Sequence, residues 1–214
     1  MEKQRPYHRE NLRSTLIAAG LAVIAESGVR GLTLREVARR AEVSHNAPYR
    51  HFDSKQALLA AIATEGFERL AAEVREAGRA GNPPIEQLLA GCEAYLAFAR
   101  RHPAHYEVMF SEQVQKAEFA DCARAAEGAF AGLVQAIEVC RRERFLAEGD
   151  SREQARVVWS LLDGMAHLSN GEQFRFRTEK EFRDFARSAL IWLLDGLGRR
   201  KGEAGRLSVR RSPA

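Results

Sequence analysis

The stretch TLREVARRAEVSHNAPYRHFDSK, residues 33–55, decides the fold of this chain. Thr33 followed by Glu36 is a T-x-x-E capping signal, so it predicts a short helix from Thr33 to about residue 40. A turn follows, in which a left-handed Glu42 would cost roughly 1 kcal/mol. Ser44 then stands where it can cap a second short helix that reaches about residue 52. The sequence therefore predicts two short helices joined by a tight turn.

The second short helix carries many hydrogen-bond donors and few side chains suited to burial, since Val43, Ala47 and Phe52 are its evident apolar anchors. Two short helices joined by a turn form a helix-turn-helix, whose second helix lies in the major groove of DNA and reads base edges. The donors therefore favour DNA binding. The alternatives are a pair of helices packed at the corner of a helical bundle and, for the individual histidines and Asn46, ordinary solvated surface positions. The candidate contacts in this helix are Ser44, His45, Asn46, Ala47, Tyr49, Arg50 and His51.

Three further positions favour phosphate contacts. Lys55 lies at the start of the next helix, where the helix dipole disfavours a cation by roughly 0.3 to 1 kcal/mol unless a phosphate is bound there. Thr33 and Arg35 begin the preceding helix on one side and can bracket a second phosphate. Pro48 forfeits one backbone hydrogen bond near the start of its helix, and we expect the helix to survive this with a 3₁₀ start.

Apolar residues recur at helical spacing along the whole chain, so we predict an all-α protein of about nine helices. Gly28 is expected to end the first helix in a left-handed conformation, and Gly149 to close a later one. Asp53 with Gln56, and Ser151 with Gln154, are the expected helix caps. The predicted helices span about residues 8–27, 33–40, 44–52, 53–80, 84–101, a short apolar piece around 106–110, 117–147, 151–170 and 179–197.

The charge is distributed unevenly along the chain. Residues 1–55 hold 10 Lys and Arg against 6 Asp and Glu, whereas residues 56–196 hold 17 against 22. This asymmetry is typical of a protein in which only one part meets a polyanion. We predict a helix-turn-helix domain at 1–55, a helical ligand-binding and dimerisation domain at 56–198, and a basic, disordered tail at 199–214.

Composition and motifs exclude several classes of protein. The three cysteines form no CxxC pair, so the sequence favours a reducing cytoplasm over a disulfide framework. No apolar run approaches the roughly 18 residues needed to span a bilayer, and the N-terminus lacks the core of a signal peptide. The G-x-S-x-G, H-E-x-x-H, G-x-x-x-x-G-K-[ST] and G-x-G-x-x-G patterns are missing, so we predict no enzyme and no cofactor.

A metal site is the alternative for His102 and His105, with Cys92, Cys122 and His167 elsewhere in the chain. Histidines at i and i+3 can share a helical face. However, Pro103 lies between the two histidines and the spacing supplies no acidic third ligand. We therefore predict that no metal is bound and that these histidines are polar residues at a helix junction.

Two motifs adjoin in this part of the chain, TLREVARRAEVS and an AxYRHFxSKxALL run, here Ala47, Tyr49, Arg50, His51, Phe52, Ser54, Lys55, Ala57, Leu58 and Leu59. Through these motifs the first 70 residues resemble the DNA-binding head of TetR-family (tetracycline-repressor-type) transcriptional regulators. The resemblance implies that Thr33, Tyr49, His51 and Lys55 bind phosphates, and that His45, Asn46 and Ala47 face bases.

The C-terminal part resembles one subgroup of this family through PAHYEVMF at 103–110 and WSLLDGMAHLSNG at 159–171. That subgroup carries a Trp-x-x-x-His-Gly signature, whereas this chain has Asp163 where the histidine would stand. Helical bundles place pockets between helices and line them with apolar groups and a few polar ones. The candidate lining residues are Phe67, Tyr95, Phe98, Tyr106, Met109, Phe110, Phe130, Trp159, Asp163 and His167. Ordinary core packing, and an Asp163–His167 pair within one helix, are the alternatives.

A single short recognition helix contacts too few bases for specificity, so we predict a homodimer on a palindromic operator. The dimer surface is expected on the last two helices, through Val157, Val158, Leu161, Leu162, Leu190, Ile191, Leu193 and Leu194. The predicted function is a cytoplasmic repressor released from double-stranded DNA by a small, largely apolar ligand. The alternatives are a constitutive or architectural DNA-binding protein without an effector, and a helical small-molecule binding protein.

Overall fold

The computed structural model of the protein describes residues 7–79, 81–171 and 173–198. Within these ranges the chain is all-α, as predicted, with eight α-helices and two short 3₁₀ turns. The 3₁₀ turns cover Pro48–Arg50 and Lys116–Glu118. The helices are α1 (Tyr7–Gly31), α2 (Leu34–Arg40), α3 (Lys55–Ala77), α4 (Pro84–Arg101), α5 (Pro103–Met109), α6 (Ala120–Arg142), α7 (Ser151–Asn170) and α8 (Glu179–Gly198). The predicted basic tail at 199–214 lies outside the described residues.

Helix α1 is broken near its end rather than terminated there. Gly28 has φ 68° and ψ 173°, a conformation open essentially to glycine alone, and one more turn follows as far as Gly31. The sequence correctly placed a positive φ at Gly28, but its ψ is not that of a left-handed helix cap. The predicted end of the first helical stretch at about residue 27 coincides with this break, whereas the predicted left-handed cap was wrong.

One described segment, Leu12–Gly31 of α1, is long and apolar enough to cross a membrane by length and composition. This corrects the expectation that no segment approaches that limit. The apolar stripe of this helix is occupied inside the protein, because Leu16, Val23 and Ile24 are buried. A helix with one packed face is typical of a protein core.

Helix α2 begins and ends as its sequence indicates. The Glu36 N–H donates to the Thr33 hydroxyl at 3.1 Å, so Thr33 is the N-cap. The Glu36 carboxylate pairs with the Arg39 guanidinium at 2.5 Å. In a full capping box it would instead accept from the backbone N–H of Thr33. At the other end Glu42 has φ 54°, and the Val43 N–H donates to the Ala38 carbonyl at 3.0 Å. This is a Schellman motif with a left-handed Glu42, as expected.

Two predicted caps belong to neighbouring residues instead. Helix α3 is capped by Ser54, whose hydroxyl accepts from the Ala57 N–H at 3.1 Å, so the Asp53 assignment was wrong. Helix α7 is capped by Asp150, whose carboxylate accepts from the Arg152 N–H at 2.7 Å. In both places two adjacent residues can cap, and the path of the preceding chain decides which one lies over the helix end.

Helix α6 ends at Arg142, five residues before the predicted end and well before Gly149. Arg144 adopts φ 63° and the Phe145 N–H donates to the Cys140 carbonyl at 2.8 Å, which is a second Schellman motif. The Ser151 hydroxyl donates to the Glu138 carboxylate at 2.5 Å. This bond and the neighbouring arginines lower the pKa of Glu138 to about 2.

The chain divides into two compact units. The first comprises the chain up to Glu73 together with Ala97–Phe130, and within it α1 packs against α2 and α5. The second comprises Val74–Leu96 and the chain from Ala131 onward, and within it α7 packs against α8. The boundary predicted between residues 55 and 56 falls at the first residues of α3 and stays a prediction.

Candidate nucleic-acid interface

Residues 44–51 form turns where a short α-helix was predicted. The N–H of Ala47 donates to the Ser44 carbonyl at 2.8 Å, and the N–H of His51 donates to the Pro48 carbonyl at 2.9 Å. These i to i+3 bonds are of the 3₁₀ kind. Pro48 has no N–H and cannot donate to Ser44, so the first α-helical bond is impossible. The helix predicted from Ser44 was therefore wrong, and Ser44 is not a helix cap.

The segment is held to the protein by a few buried groups. Phe52 is only 3% exposed, and the Arg13 guanidinium lies 5.5 Å from the centre of its ring. Pro48 is buried as well, an anchor that the sequence reasoning did not count. Ala47 is 9% exposed, so its methyl group belongs to this anchor. The base contact expected for Ala47 does not agree with this burial, so Ala47 is not among the proposed contacts.

The polar side chains of the segment lie on the opposite side, toward solvent. Tyr49 is 54% exposed although it is a large aromatic residue. Only His51 is half-buried. An element that presents donors outward while its apolar residues are packed inward is suited to contacting another molecule. The exposed polar residues are Ser44, His45, Asn46, Tyr49 and Arg50.

Positive charge at the start of α2 and in the turn is not neutralised by the protein. Arg39 pairs with Glu36, and Arg40 pairs with Glu26 at 2.5 Å. By contrast, neither Arg35 nor Arg50 forms an ion pair with any residue in the described ranges, and both are exposed. These two guanidinium groups are therefore available to an anion such as DNA phosphate.

Lys55 is the first residue of α3, and its ammonium group already has a partner. The Nζ atom donates to the Arg30 carbonyl at 3.3 Å, at the end of α1. Cations are stabilised at a helix C-terminus, so this contact compensates for the unfavourable start of α3. Burial lowers the pKa of Lys55. The two residues are 25 positions apart in the sequence, so the local sequence at the start of α3 does not predict this contact.

Six of the ten predicted pocket residues belong to the first unit. Phe98, Tyr106 and Met109 are buried, and Phe67 contacts Phe110 edge to face with ring centres 5.8 Å apart. Lys116 lies 6.0 Å from the centre of the Phe67 ring. Tyr106 also contacts Phe110, with ring centres 4.8 Å apart, so Phe67, Tyr106 and Phe110 form an aromatic cluster between α3 and the end of α5. The six residues are Phe67, Phe98, Tyr106, Met109, Phe110 and Phe130.

The other four predicted pocket residues belong to the second unit. The Trp159 indole N–H donates to the Tyr95 hydroxyl at 3.3 Å. Asp163 and His167 lie 3.7 Å apart on α7, in the intrahelical arrangement that the sequence left open as an alternative. These four residues thus form one hydrogen bond between aromatic side chains and one pair within a helix. Their role in ligand binding stays a prediction.

The two histidines at the α4–α5 junction contact carboxylates. His105 is buried and its Nε2 lies 3.4 Å from Glu65, while His102 Nε2 lies 3.8 Å from Glu73. Burial is the main cause that lowers the pKa of both histidines. Across the described part of the chain, no set of three or more His, Cys, Asp or Glu residues is arranged to hold a metal ion.

The predicted dimer surface divides into two groups. Val158, Leu162, Leu190 and Leu194 are buried within their own protomer, so they cannot contact another copy. Val157 and Ile191 are exposed, and Leu161 and Leu193 are half-buried. Trp192, which the sequence reasoning missed, is 72% exposed. Its position next to Ile191 on the outer face of α8 is the signal that could have identified it.

Two family descriptions match this chain. Residues 16–62 match "Bacterial regulatory proteins, tetR family", and residues 88–190 match "Tetracyclin repressor-like, C-terminal domain". The first range contains all the residues of the candidate interface. The second contains all the predicted pocket residues except Phe67.

Two relatives from Mycolicibacterium smegmatis are similar in sequence. The HTH-type transcriptional repressor KstR is 32% identical over 115 residues, which cover 54% of this chain and 54% of KstR. The HTH-type transcriptional activator FasR is 30% identical over 102 residues, which cover 48% of this chain and 47% of FasR. The chain thus spans about half the length of the curated relatives it matches.

Solved structures share the fold over nearly the whole chain. A protein of unknown function from Rhodococcus sp. RHA1 has a TM-score of 0.79 at 28% identity, and covers 92% of this chain and 100% of its own. The fatty acid degradation regulator FadR from Bacillus halodurans has a TM-score of 0.74 at 17% identity, covering 93% and 100%. Together with the matches to both parts of the sequence, these results place the chain: it belongs to the TetR family of bacterial regulatory proteins.

Proposed function

We propose that this protein is a DNA-binding transcriptional regulator that binds a palindromic operator as a homodimer and is released by a small, largely apolar ligand. The observation that carries the proposal is the outward presentation of the polar residues at 44–51 above buried Ala47, Pro48 and Phe52. KstR repressors of three organisms are among the relatives, which supports repression as the sign of regulation. Such a protein acts in the cytoplasm, where the DNA is.

The exposed residues divide into two roles by their chemistry. Asn46 and His45 can pair with base edges in the major groove, where an asparagine amide matches adenine N6 and N7. Tyr49, Arg50 and Arg35 suit phosphate oxygens, since they carry a hydroxyl or an unpaired guanidinium group. His51, Thr33 and Lys55 complete the proposed phosphate contacts. Thr33 contributes its backbone N–H, because its hydroxyl already caps α2.

The outer faces of α7 and α8 supply the proposed dimer contact. Val157 on α7 and Ile191 and Trp192 on α8 are large apolar residues exposed to solvent within one protomer. Exposed apolar groups on packed helices are typical of obligate interfaces between copies. A two-fold axis there gives two equivalent heads, which is what a palindrome requires.

The ligand is proposed to act through α3. Lys55 begins this helix, and Phe67 lies further along it in the aromatic cluster of the first unit. A ligand that binds one position of α3 more tightly than another shifts the equilibrium toward that position. The position of the helix-turn-helix then shifts with α3, to an extent set by the difference between the two affinities. The apolar lining around Phe67 supports a largely apolar ligand.

The test begins with a footprint of the protein on genomic DNA to define an operator, followed by equilibrium binding to that duplex at several salt concentrations. Operator affinity should fall steeply with salt, because bound phosphates release counterions. Lys55→Ala and Tyr49→Phe should weaken binding to all sequences alike, whereas Asn46→Ala should relax preference at one base pair by about 1 to 3 kcal/mol. Gln115→Ala, an exposed change in the first unit outside the interface, is the control.

Three results would contradict the proposal. One is the absence of a protected palindrome at nanomolar protein, and another is a salt-independent affinity. The third is equal behaviour of Asn46→Ala and Lys55→Ala toward matched and mismatched operators. For the effector, a library of apolar compounds should contain at least one that raises the melting temperature of the protein and lowers its operator affinity.

A further inference from the structure

A side chain from α5 holds the broken end of α1. The break at Gly28 takes the Val29 N–H out of the helical hydrogen-bond pattern, and the Glu107 carboxylate accepts from it at 2.9 Å. These two residues are 78 positions apart in the sequence. Val29 is buried, so its N–H would be left without a partner if the carboxylate were removed. A hydrogen bond to a charged acceptor is also stronger than one between neutral groups.

Glu107 itself is held on a well-packed support. Its helix, α5, lies so close to α3 that a Cβ atom at Gly66 would be 2.6 Å from the Met109 sulfur. His105 of the same helix lies 3.4 Å from Glu65 of α3. Met109 is fully buried. The carboxylate of Glu107 therefore has a defined position relative to the body of the first unit.

The end of α1 leads directly into the candidate interface. Only Leu32 and Thr33 separate Gly31 from α2, and Leu32 is almost completely buried. Thr33 caps α2, so the path of the chain at 28–31 sets the position of Thr33 and of Arg35. Lys55 is tied to the same turn through the Arg30 carbonyl. One short turn thus places three of the proposed phosphate contacts.

We propose that Glu107 is a positioning residue for DNA binding: without touching DNA, its bond to Val29 fixes the α1–α2 junction and pre-organises the phosphate contacts at Thr33, Arg35 and Lys55. This inference rests on the proposed function. When the bond is lost, the junction has to be ordered during binding, and that ordering weakens affinity. The contacts in the complex stay the same, so the number of released counterions does not change.

The test compares Glu107→Ala with Glu112→Ala, which removes an exposed carboxylate from the same unit and controls for the change in net charge. Binding to the operator is measured at several salt concentrations, and the exchange of backbone amides is followed in the free protein. Glu107→Ala should bind about tenfold more weakly than Glu112→Ala, with an unchanged salt slope. The Val29 amide should exchange at least about tenfold faster, while amides in the middle of α1 keep their rates.

Glu107→Gln keeps a neutral oxygen acceptor and should recover part of the affinity lost in Glu107→Ala. If Glu107→Ala does not fold, Glu107→Gln is compared with Glu112→Gln, and a loss of about threefold is expected. Three results would overturn the assignment. They are equal affinities of the two variants within either pair, an unchanged exchange rate of the Val29 amide, and a salt slope lowered by about one, which would indicate a lost phosphate contact. If the wild-type protein binds no DNA, the proposed function itself has failed, which is a separate result.

Discussion

At the scale of single residues, Glu42 and Arg144 both occupy left-handed positions at the ends of helices, with φ 54° and φ 63°. A side chain there is strained, and glycine removes the strain, although it also raises the conformational entropy of the unfolded chain, which offsets part of the gain. We expect Glu42→Gly and Arg144→Gly each to raise the free energy of unfolding by about 0.5 to 1 kcal/mol. Urea unfolding measures the change.

The matched control for these glycines is Ala131→Gly, at an exposed position inside α6 with ordinary helical geometry. It should lower the free energy of unfolding by about 1 kcal/mol. If all three substitutions destabilise the protein to the same extent, glycine does not relieve the backbone strain at Glu42 and Arg144, and the expected gain in stability is refuted.

His105, which is buried, and His102, which is half-buried, make the stability depend on pH. Burial lowers the pKa of both His102 and His105; Glu65 and Glu73 oppose the shift, whereas Arg69 and Arg101 add to it. The unfolded chain therefore binds protons more readily, and the stability should fall as the pH drops through the ordinary histidine pKa of about 6.5 toward the lowered values. Above that range the histidine contribution is constant. Melting temperatures between pH 5 and 7.5 measure the effect.

His102→Gln combined with His105→Gln should flatten this pH dependence. Carboxylates with a lowered pKa, such as Glu138, lose their stabilising effect only at more acidic pH, so they do not interfere in this window. An unchanged slope in the double variant would show that other groups cause the dependence.

At the scale of elements, the start of α3 distinguishes two adjacent capping candidates. The Ser54 hydroxyl accepts from the Ala57 N–H, so Ser54→Ala should lower the free energy of unfolding by about 1 kcal/mol. Asp53→Ala is the matched control and should change it by no more than a few tenths, because Asp53 acts only through its charge near the helix end. Equal losses in both variants would contradict the assignment of Ser54 as the cap.

For the turn at 44–51 the predicted secondary structure was wrong, whereas the predicted exposure of its polar side chains agrees with the structure. The polar composition predicted an outward-facing segment, and the structure places its polar side chains there. The predicted helix did not form, because Pro48 removes the donor of the first α-helical hydrogen bond. Exposure follows from the few apolar anchors, whereas the type of turn depends on a single missing N–H.

At the scale of the whole molecule, Trp192→Glu should weaken the proposed dimer at least about tenfold, because it places a charge at a large apolar residue that is 72% exposed in one protomer. Phe145→Glu, an equivalent change after α6 in the same unit, is the control. Sedimentation velocity over a range of concentrations measures the dimer. Operator affinity should fall together with dimerisation, since each half-site needs its own head. Dimers of equal strength in both variants would place the interface elsewhere.

The sequence by itself determined what depends on neighbours within a turn or two: the all-α class, the Thr33 cap, the left-handed Glu42 and the positive φ at Gly28. Hydrophobic periodicity and capping act between residues a few positions apart, so they can be read from a single chain. The tertiary structure decided what depends on distant partners. Glu107 reaches Val29 and Lys55 reaches Arg30 because packed helices bring them together. Likewise, α8 packs against α7, Leu190 is buried and Trp192 is exposed, and local periodicity cannot specify which neighbour covers a helix.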